Sequence, residues 1–309
     1  MADDGAIHEC LLADDPVRAV QLAALERDLL LLARAYLSLG AVGQAAATYR
    51  SIISSSSEAA TELAELTSLC QTWLDHPARL RQLFYPPPPP SRSHSGAVVT
   101  FESRTSGVHI ACSIFVPPSA RPRALALYFH GNAEDAHDCE ASLCARFHEH
   151  GLILVVVEPR GYGRSTRSEP QLTALLDDVE PLVTDEDALE RIRAAAGPAA
   201  ARLPLLIFGR SIGCHVAIHL CALAVALGDQ TWAAGLVLDS GTASVRHWES
   251  IVAGDDGGAS DGRPPVPGRL QTIGVLENRG KMQGLGAYSK LPLLVLHGGD
   301  DQLVPLLLP

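Results

Sequence analysis

Two hydrophobic periods divide this chain. Up to about residue 77 the apolar side chains recur every three to four positions, whereas beyond residue 96 they gather in short unbroken runs. Residues 17–39, 42–53 and 58–73 carry the helical spacing and predict three helices. Gly40 and Gly43 mark the first junction, and the serine run 54–57 precedes Glu58 as a capping region. Past residue 96, residues 97–103 and 108–116 read as strands flanking a turn. Residues 123–129, 152–157, 203–208, 234–238 and 292–296 are apolar runs of the fully buried kind, and helical stretches at 134–150, 171–195 and 212–227 separate most of them. Strand alternating with helix predicts βαβ units: an α/β fold whose mostly parallel sheet is covered on both faces. Residues 241–290, rich in Gly, Pro and Asp, read as an insertion or lid over the sheet edge.

Between the two periods stand five consecutive prolines, 86–90. Such a run adopts polyproline II and serves as a semi-rigid spacer, or alternatively as a ligand for proline-binding domains. The expected organisation is therefore a helical module at 1–77, a proline-rich linker at 78–96 and an α/β domain at 97–309. Within the module Leu32, Ala33, Tyr36, Gly40, Ala45 and Tyr49 fall at the spacing of a tetratricopeptide-like hairpin. One unit cannot build a solenoid, so an ordinary hairpin docked on the next domain is the expectation.

Charge and composition narrow the partners. The net charge of −11 over 309 residues disfavours nucleic acid, whose phosphates need a basic surface. Residues 1–77 hold 11 acidic and 4 basic side chains, so a protein partner for these helices is conceivable. The seven cysteines form an odd set without a C-x-x-C pair, which suits buried thiols in a reducing compartment better than disulfides or zinc. No basic-then-apolar leader opens the chain, and no stretch approaches the ~18 apolar residues that span a bilayer. A soluble cytoplasmic protein is expected.

The chemistry concentrates after the apolar run at 203–208, where Gly209-Arg210-Ser211-Ile212-Gly213 opens a helical stretch. Strand, G-x-S-x-G, helix is the context of a nucleophile elbow. Ser211 would sit on a sharp turn at a helix N-terminus, where free N–H groups favour developing negative charge. Gly209 and Gly213 would remove side chains that collide with strand and helix. Upstream, His130-Gly131-Asn132 ends another buried strand. Acyl transfer needs two N–H donors aimed at an oxyanion; Ile212 would supply one and Asn132 the other, with Gly131 allowing close approach.

These segments together resemble the α/β-hydrolase fold. His130-Gly131-Asn132-Ala133-Glu134-Asp135, Pro159-Arg160-Gly161-Tyr162-Gly163-Arg164-Ser165, the Ser211 elbow and the run from Leu294 to Pro305 are more narrowly similar to its serine aminopeptidase-like and depalmitoylase-like branch. The resemblance implies a Ser-acid-His triad. Its pattern H-G-x-x-D-x-x-V-P aligns with His297, Gly298, Asp301, Val304 and Pro305, making Asp301 the acid; Asp300 is one residue away, and Asp239 stands where some relatives carry it. Glu158 occupies a place where an aspartate is usual. In that family the histidine follows the acid, but no histidine follows His297 and the chain closes eight residues beyond Asp301. The expectation is a sheet without its last strand and helix, and a triad without its base, a loss worth about 10⁴ to 10⁶ in rate. His215 and His219, four apart on a helix, lack the glutamate of a metal motif and read as ordinary helix residues. The implied activity is serine hydrolysis of an ester, thioester or amide through an acyl-enzyme, on a small acyl substrate or an acylated protein, with no metal or cofactor. The alternative is a non-catalytic scaffold that recruits partners through its helices and proline run. Depalmitoylase relatives carry an N-terminal cysteine cluster; here only Cys10 lies near the start, so that activity is not carried over.

Overall fold

A computed structural model describes residues 4–84, 86–87, 94–118, 121–242, 244 and 274–301. The N-terminal part is wholly helical: α1 (Asp4–Leu12), α2 (Pro16–Glu26), α3 (Leu29–Leu39), α4 (Val42–Ile52), α5 (Ser57–Leu69) and α6 (Pro77–Leu83). The continuous helix expected over 17–39 is two helices. Arg27 turns left-handed at φ 60°, and the Asp28 carboxylate caps α3 by accepting from the Leu30 and Leu31 N–H groups at 3.0 Å. The apolar period runs through this break unchanged, so periodicity could not show it. Gly40 closes α3 at φ 89°, and Ser56 caps α5 through the Ala59 N–H at 3.1 Å. A π turn at Cys70–Leu74 extends α5, and α6 carries helix to Leu83, inside the segment read as linker. Prolines 88–90 lie outside the described residues.

The sheet holds β1 (Ala97–Glu102), β2 (His109–Phe115), β3 (Ala124–Phe129), β4 (Leu152–Glu158), β5 (Leu205–Arg210), β6 (Gly235–Asp239) and β7 (Leu293–Leu296) in the order β1-β2-β4-β3-β5-β6-β7. β2 pairs antiparallel with β1 and β4; every other pairing is parallel. This mostly parallel, doubly covered sheet is the α/β-hydrolase architecture that the motifs imply. The crossing helices are α7 (Ala136–Cys139), α8 (Ala145–Glu149), α9 (Leu172–Asp177), α10 (Pro181–Thr184), α11 (Glu186–Ala195), α12 (Gly213–Ala226) and α13 (Arg279–Tyr288). Two expected long helices are therefore broken. A π turn at Glu140–Cys144 interrupts 134–150, while Pro181 and the capping carboxylate of Asp185 divide 171–195.

Chain reversal around β3 sets the position of the site. The chain runs from β3 to β4 on one side and then crosses to β5 on the other, so a crevice opens beyond the carboxyl ends of β3 and β5. Phe129 pairs with Gly209 there, which brings His130 and Ser211 to the same rim.

One face of the sheet packs on α7 and α8 through Tyr128, Phe147, Leu154 and Val156. The other face packs on α12, all fourteen of whose residues are buried. A helix that is apolar all round needs cover on every side; here the outer side is covered by α2, α3 and α13. The N-terminal helices thus form a third layer whose Val17, Leu39 and Tyr49 share one core with Leu125, Ile207 and Leu220. The described part of the expected insertion, 274–290, packs through α13 on α12 and α2 and not over the sheet edge; residues 245–273 are outside the described set.

A polar cluster lies where these layers meet. His219 Nε2 donates to Glu180 at 3.1 Å, Arg104 Nε donates to the same carboxylate at 2.7 Å, and Asn278 Nδ2 donates to His215 Nδ1 at 2.9 Å. Lys281 is fully buried beside them, and its Nζ has no hydrogen-bond partner among the described residues. Burial pushes its pKa down to about 7. The folded value lies below the unfolded one, so this lysine weakens the fold most below pH 7, and the penalty fades as pH rises toward 10. Lys281→Met is therefore expected to stabilise the protein by about 1–3 kcal/mol at pH 6. The advantage over wild type should shrink between pH 7 and 10 in denaturant titrations; a pH-independent difference would contradict this account.

Candidate active site

β5 ends at Arg210, α12 begins at Gly213, and only Ser211 and Ile212 connect them. Such a reversal forces Ser211 to φ 51°, the left-handed region that a residue with a Cβ seldom occupies. Its N–H donates to the Asp239 carbonyl at 2.8 Å, and its carbonyl accepts from the Cys214 N–H at 3.0 Å. The strained turn is thus held from the neighbouring strand and from its own helix. The two elbow glycines are required by contact. A Cβ on Gly209 would lie 2.6 Å from Cys214 Cα, and one on Gly213 would lie 2.1 Å from the Phe129 carbonyl oxygen. Only with both side chains absent can α12 start against the ends of β3 and β5.

Facing the elbow is the loop after β3. A Cβ on Gly131 would come within 3.5 Å of Ser211 Cβ, which measures how closely the two turns approach. The Gly131 N–H is taken by Glu134 Oε2 at 2.9 Å. Ala133 adopts φ 60° and carries the loop round to the Asp135 cap of α7. The Asn132 side chain is clamped: Nδ2 donates to the Leu83 carbonyl at the end of α6, and Oδ1 accepts from the Tyr162 hydroxyl at 2.5 Å. Across the crevice the Ile212 N–H makes no hydrogen bond among the described residues. Ile212 and Asn132, the two expected oxyanion donors, therefore border one apolar cavity. The Tyr162 loop is itself anchored by Glu158, which accepts from the N–H groups of Ala136 and Arg164, both at 3.1 Å. Burial raises the Glu158 pKa.

The acid candidates separate in their surroundings. Asp239 ends β6 beside the elbow, but its carboxylate faces Arg210 Nε at 3.8 Å and accepts from the Ser240 hydroxyl at 3.2 Å. Arg210 also pairs with Glu134 and so ties the elbow to the opposite loop. Asp301 follows β7 in a turn closed by its N–H to the Gly298 carbonyl at 3.3 Å, and its carboxylate faces His297 Nε2 at 3.9 Å. Asp300 beside it is exposed.

No described histidine hydrogen-bonds the Ser211 hydroxyl. His130 is buried, its Nδ1 donates to the Gly131 carbonyl at 2.7 Å, and burial lowers its pKa. His215 and His219 are core residues turned to different partners, Asn278 and Glu180. Among the described residues no three His, Cys, Asp or Glu side chains are grouped to hold a metal.

Sequence reasoning missed Leu83, Phe84 and the Arg210–Glu134–Asp239 bridge. Arg210 lies inside the elbow motif and Glu134 inside the loop motif, so their charges were visible. Nothing local pointed the end of α6 at Asn132, 49 residues away.

Residues 120–252 match the family model described as serine aminopeptidase, S33. Protein bem46 of Schizosaccharomyces pombe is 25% identical over 188 residues, covering 61% of this chain and 54% of the relative. The uncharacterized protein YfhR of Escherichia coli O157:H7 is 25% identical over 195 residues, covering 62% and 58%. The chain thus spans a little over half the length of the curated relatives it matches. The crystal structure of TT1662 from Thermus thermophilus is similar at 21% identity and a TM-score of 0.42, over 68% of this chain and 79% of that one.

Proposed function

We propose that this chain is an α/β-hydrolase of the serine aminopeptidase-like branch, a serine hydrolase that forms an acyl-enzyme on Ser211 from an ester, thioester or amide. The observation that carries the reading is the left-handed Ser211 at the start of a buried helix, with the Gly131 loop closed against it. In the first half-reaction Ser211 Oγ bonds to the acyl carbon. The carbonyl electrons move onto oxygen, where the Ile212 and Asn132 N–H groups stabilise the charge. Collapse expels the alcohol, thiol or amine with a proton, and water then repeats the sequence to release the acid. Asp301 would orient the histidine that takes the serine proton; no histidine lies between Asp301 and Pro309. No metal or organic cofactor takes part in this scheme. The substrate is a small acyl compound or an acylated protein. No helix among the described residues is long and apolar enough to cross a membrane, and the seven cysteines are all free thiols, which fits a reducing cytoplasm.

The test is covalent. An alkyl fluorophosphonate, incubated with the purified protein in the presence of imidazole as the proton acceptor and followed by peptide mass mapping, is expected to leave its adduct on Ser211. A folded protein that acquires no adduct there would refute the proposal. The same outcome would favour the second reading, a scaffold recruiting partners through its N-terminal helices.

A further inference from the structure

The last residue of the helical layer before the proline run reaches the candidate site. Phe84 follows α6, is 6% exposed, and its N–H bonds to the Leu80 carbonyl at 2.8 Å. Its side chain lines a cavity of about 20 Å³ together with Val157, Leu175, Val179 and Val216 from the hydrolase fold. Ile212 and Asn132 line the same cavity. A carbonyl oxygen held by their N–H groups directs one substituent of the carbonyl carbon inward. The leaving group has to escape and be replaced by water, so the inward substituent is the acyl chain. A space of this size holds about one water molecule. Phe84 is thus one of the residues that bound this space, and the bond from Asn132 Nδ2 to the Leu83 carbonyl ties the adjoining backbone to the oxyanion loop.

We propose that Phe84 determines the specificity of this site: through it the N-terminal layer closes the acyl pocket and restricts it to groups of about acetyl size. The inference rests on the reading of Ser211 as an acyl-transfer nucleophile. It goes beyond that reading by assigning the chain-length limit to a residue outside the hydrolase fold.

Two measurements on the full chain test it. The first is hydrolysis of p-nitrophenyl acetate and p-nitrophenyl octanoate by the wild type, Phe84→Ala and Phe84→Leu. The second is calorimetric titration with octanoate, which needs no turnover. Each methylene admitted to an apolar pocket is worth roughly fourfold in affinity. Phe84→Ala is therefore expected to raise the octanoate-to-acetate ratio of kcat/KM at least tenfold, to create octanoate binding that the wild type lacks, and Phe84→Leu to fall between. An unchanged ratio and unchanged octanoate binding in folded variants would overturn the assignment. If no ester is turned over and Ser211 takes no fluorophosphonate, the hydrolase reading fails. The titration then still decides Phe84, because octanoate binding gained on truncation supports the plug and its absence refutes it. Should Phe84→Ala fail to fold, Phe84→Leu carries both measurements.

Discussion

Replacing Gly213 by alanine is expected to cost more than about 3 kcal/mol of stability, enough to unfold a large share of molecules in a domain of ordinary stability. The added Cβ would meet three backbone atoms: the Phe129 carbonyl oxygen at 2.1 Å, the Phe129 carbonyl carbon at 2.6 Å and the His130 carbonyl oxygen at 2.8 Å. No side chain can rotate aside, because the colliding atoms belong to the end of β3, the central strand of the sheet. Relief requires α12 to withdraw from the rim, which uncovers its buried face and displaces Ser211. A control separates this from helix propensity. Gly286 lies in α13 with nothing within 4 Å of its would-be Cβ. There alanine should stabilise by about 0.5–1 kcal/mol, through reduced freedom of the unfolded chain. Urea titrations of both variants compare the effects directly, and a Gly213→Ala protein as stable as wild type would refute the close packing of the elbow.

Replacing Ser211 by alanine is expected to abolish fluorophosphonate labelling while leaving the urea midpoint within the range of a surface substitution. The hydroxyl makes no hydrogen bond among the described residues, and relief of the serine side chain changes no packing contact of the elbow glycines. The effect on turnover carries more information than its sign. Members of a triad act as a unit, so losing the serine costs about 10⁴ to 10⁶ only when a general base serves it. No histidine follows Asp301 in residues 302–309, and His130, His215 and His219 are committed elsewhere. With no base on the Ser211 hydroxyl among the described residues, the expected loss in ester hydrolysis is under about tenfold. Imidazole supplied in solution should accelerate the unmodified chain and not Ser211→Ala. A loss of 10⁴ or more would show that a base within residues 1–309 does serve Ser211.

Legibility differed between features for physical reasons. The elbow and the His130 loop were readable because their constraints are local: a strand, a two-residue reversal and a helix leave room only for glycine at 209 and 213. The alternation of buried strands and helices was readable because burial on both faces of a parallel sheet demands unbroken apolar runs. Breaks inside helical stretches were less visible. Arg27 and Asp28 interrupt an apolar period that continues on either side, since both α2 and α3 bury a face against the same layer. Nothing in the neighbouring sequence signals that Lys281 is buried; its burial follows only from α13 packing on α12 and α2.

By itself, then, the sequence determined the class of sheet, the residue at the strained turn and the two loops that meet there, because each depends on neighbours a few positions apart. The tertiary structure decided what surrounds them. It placed the acidic helices as a third layer over α12, drove Leu83 and Phe84 against the loop of Asn132, and drew Arg210 between Glu134 and Asp239. Those contacts join residues tens of positions apart, and their energies come from covering apolar surface that the sheet and α12 leave open. No local pattern records which distant segment supplies that cover.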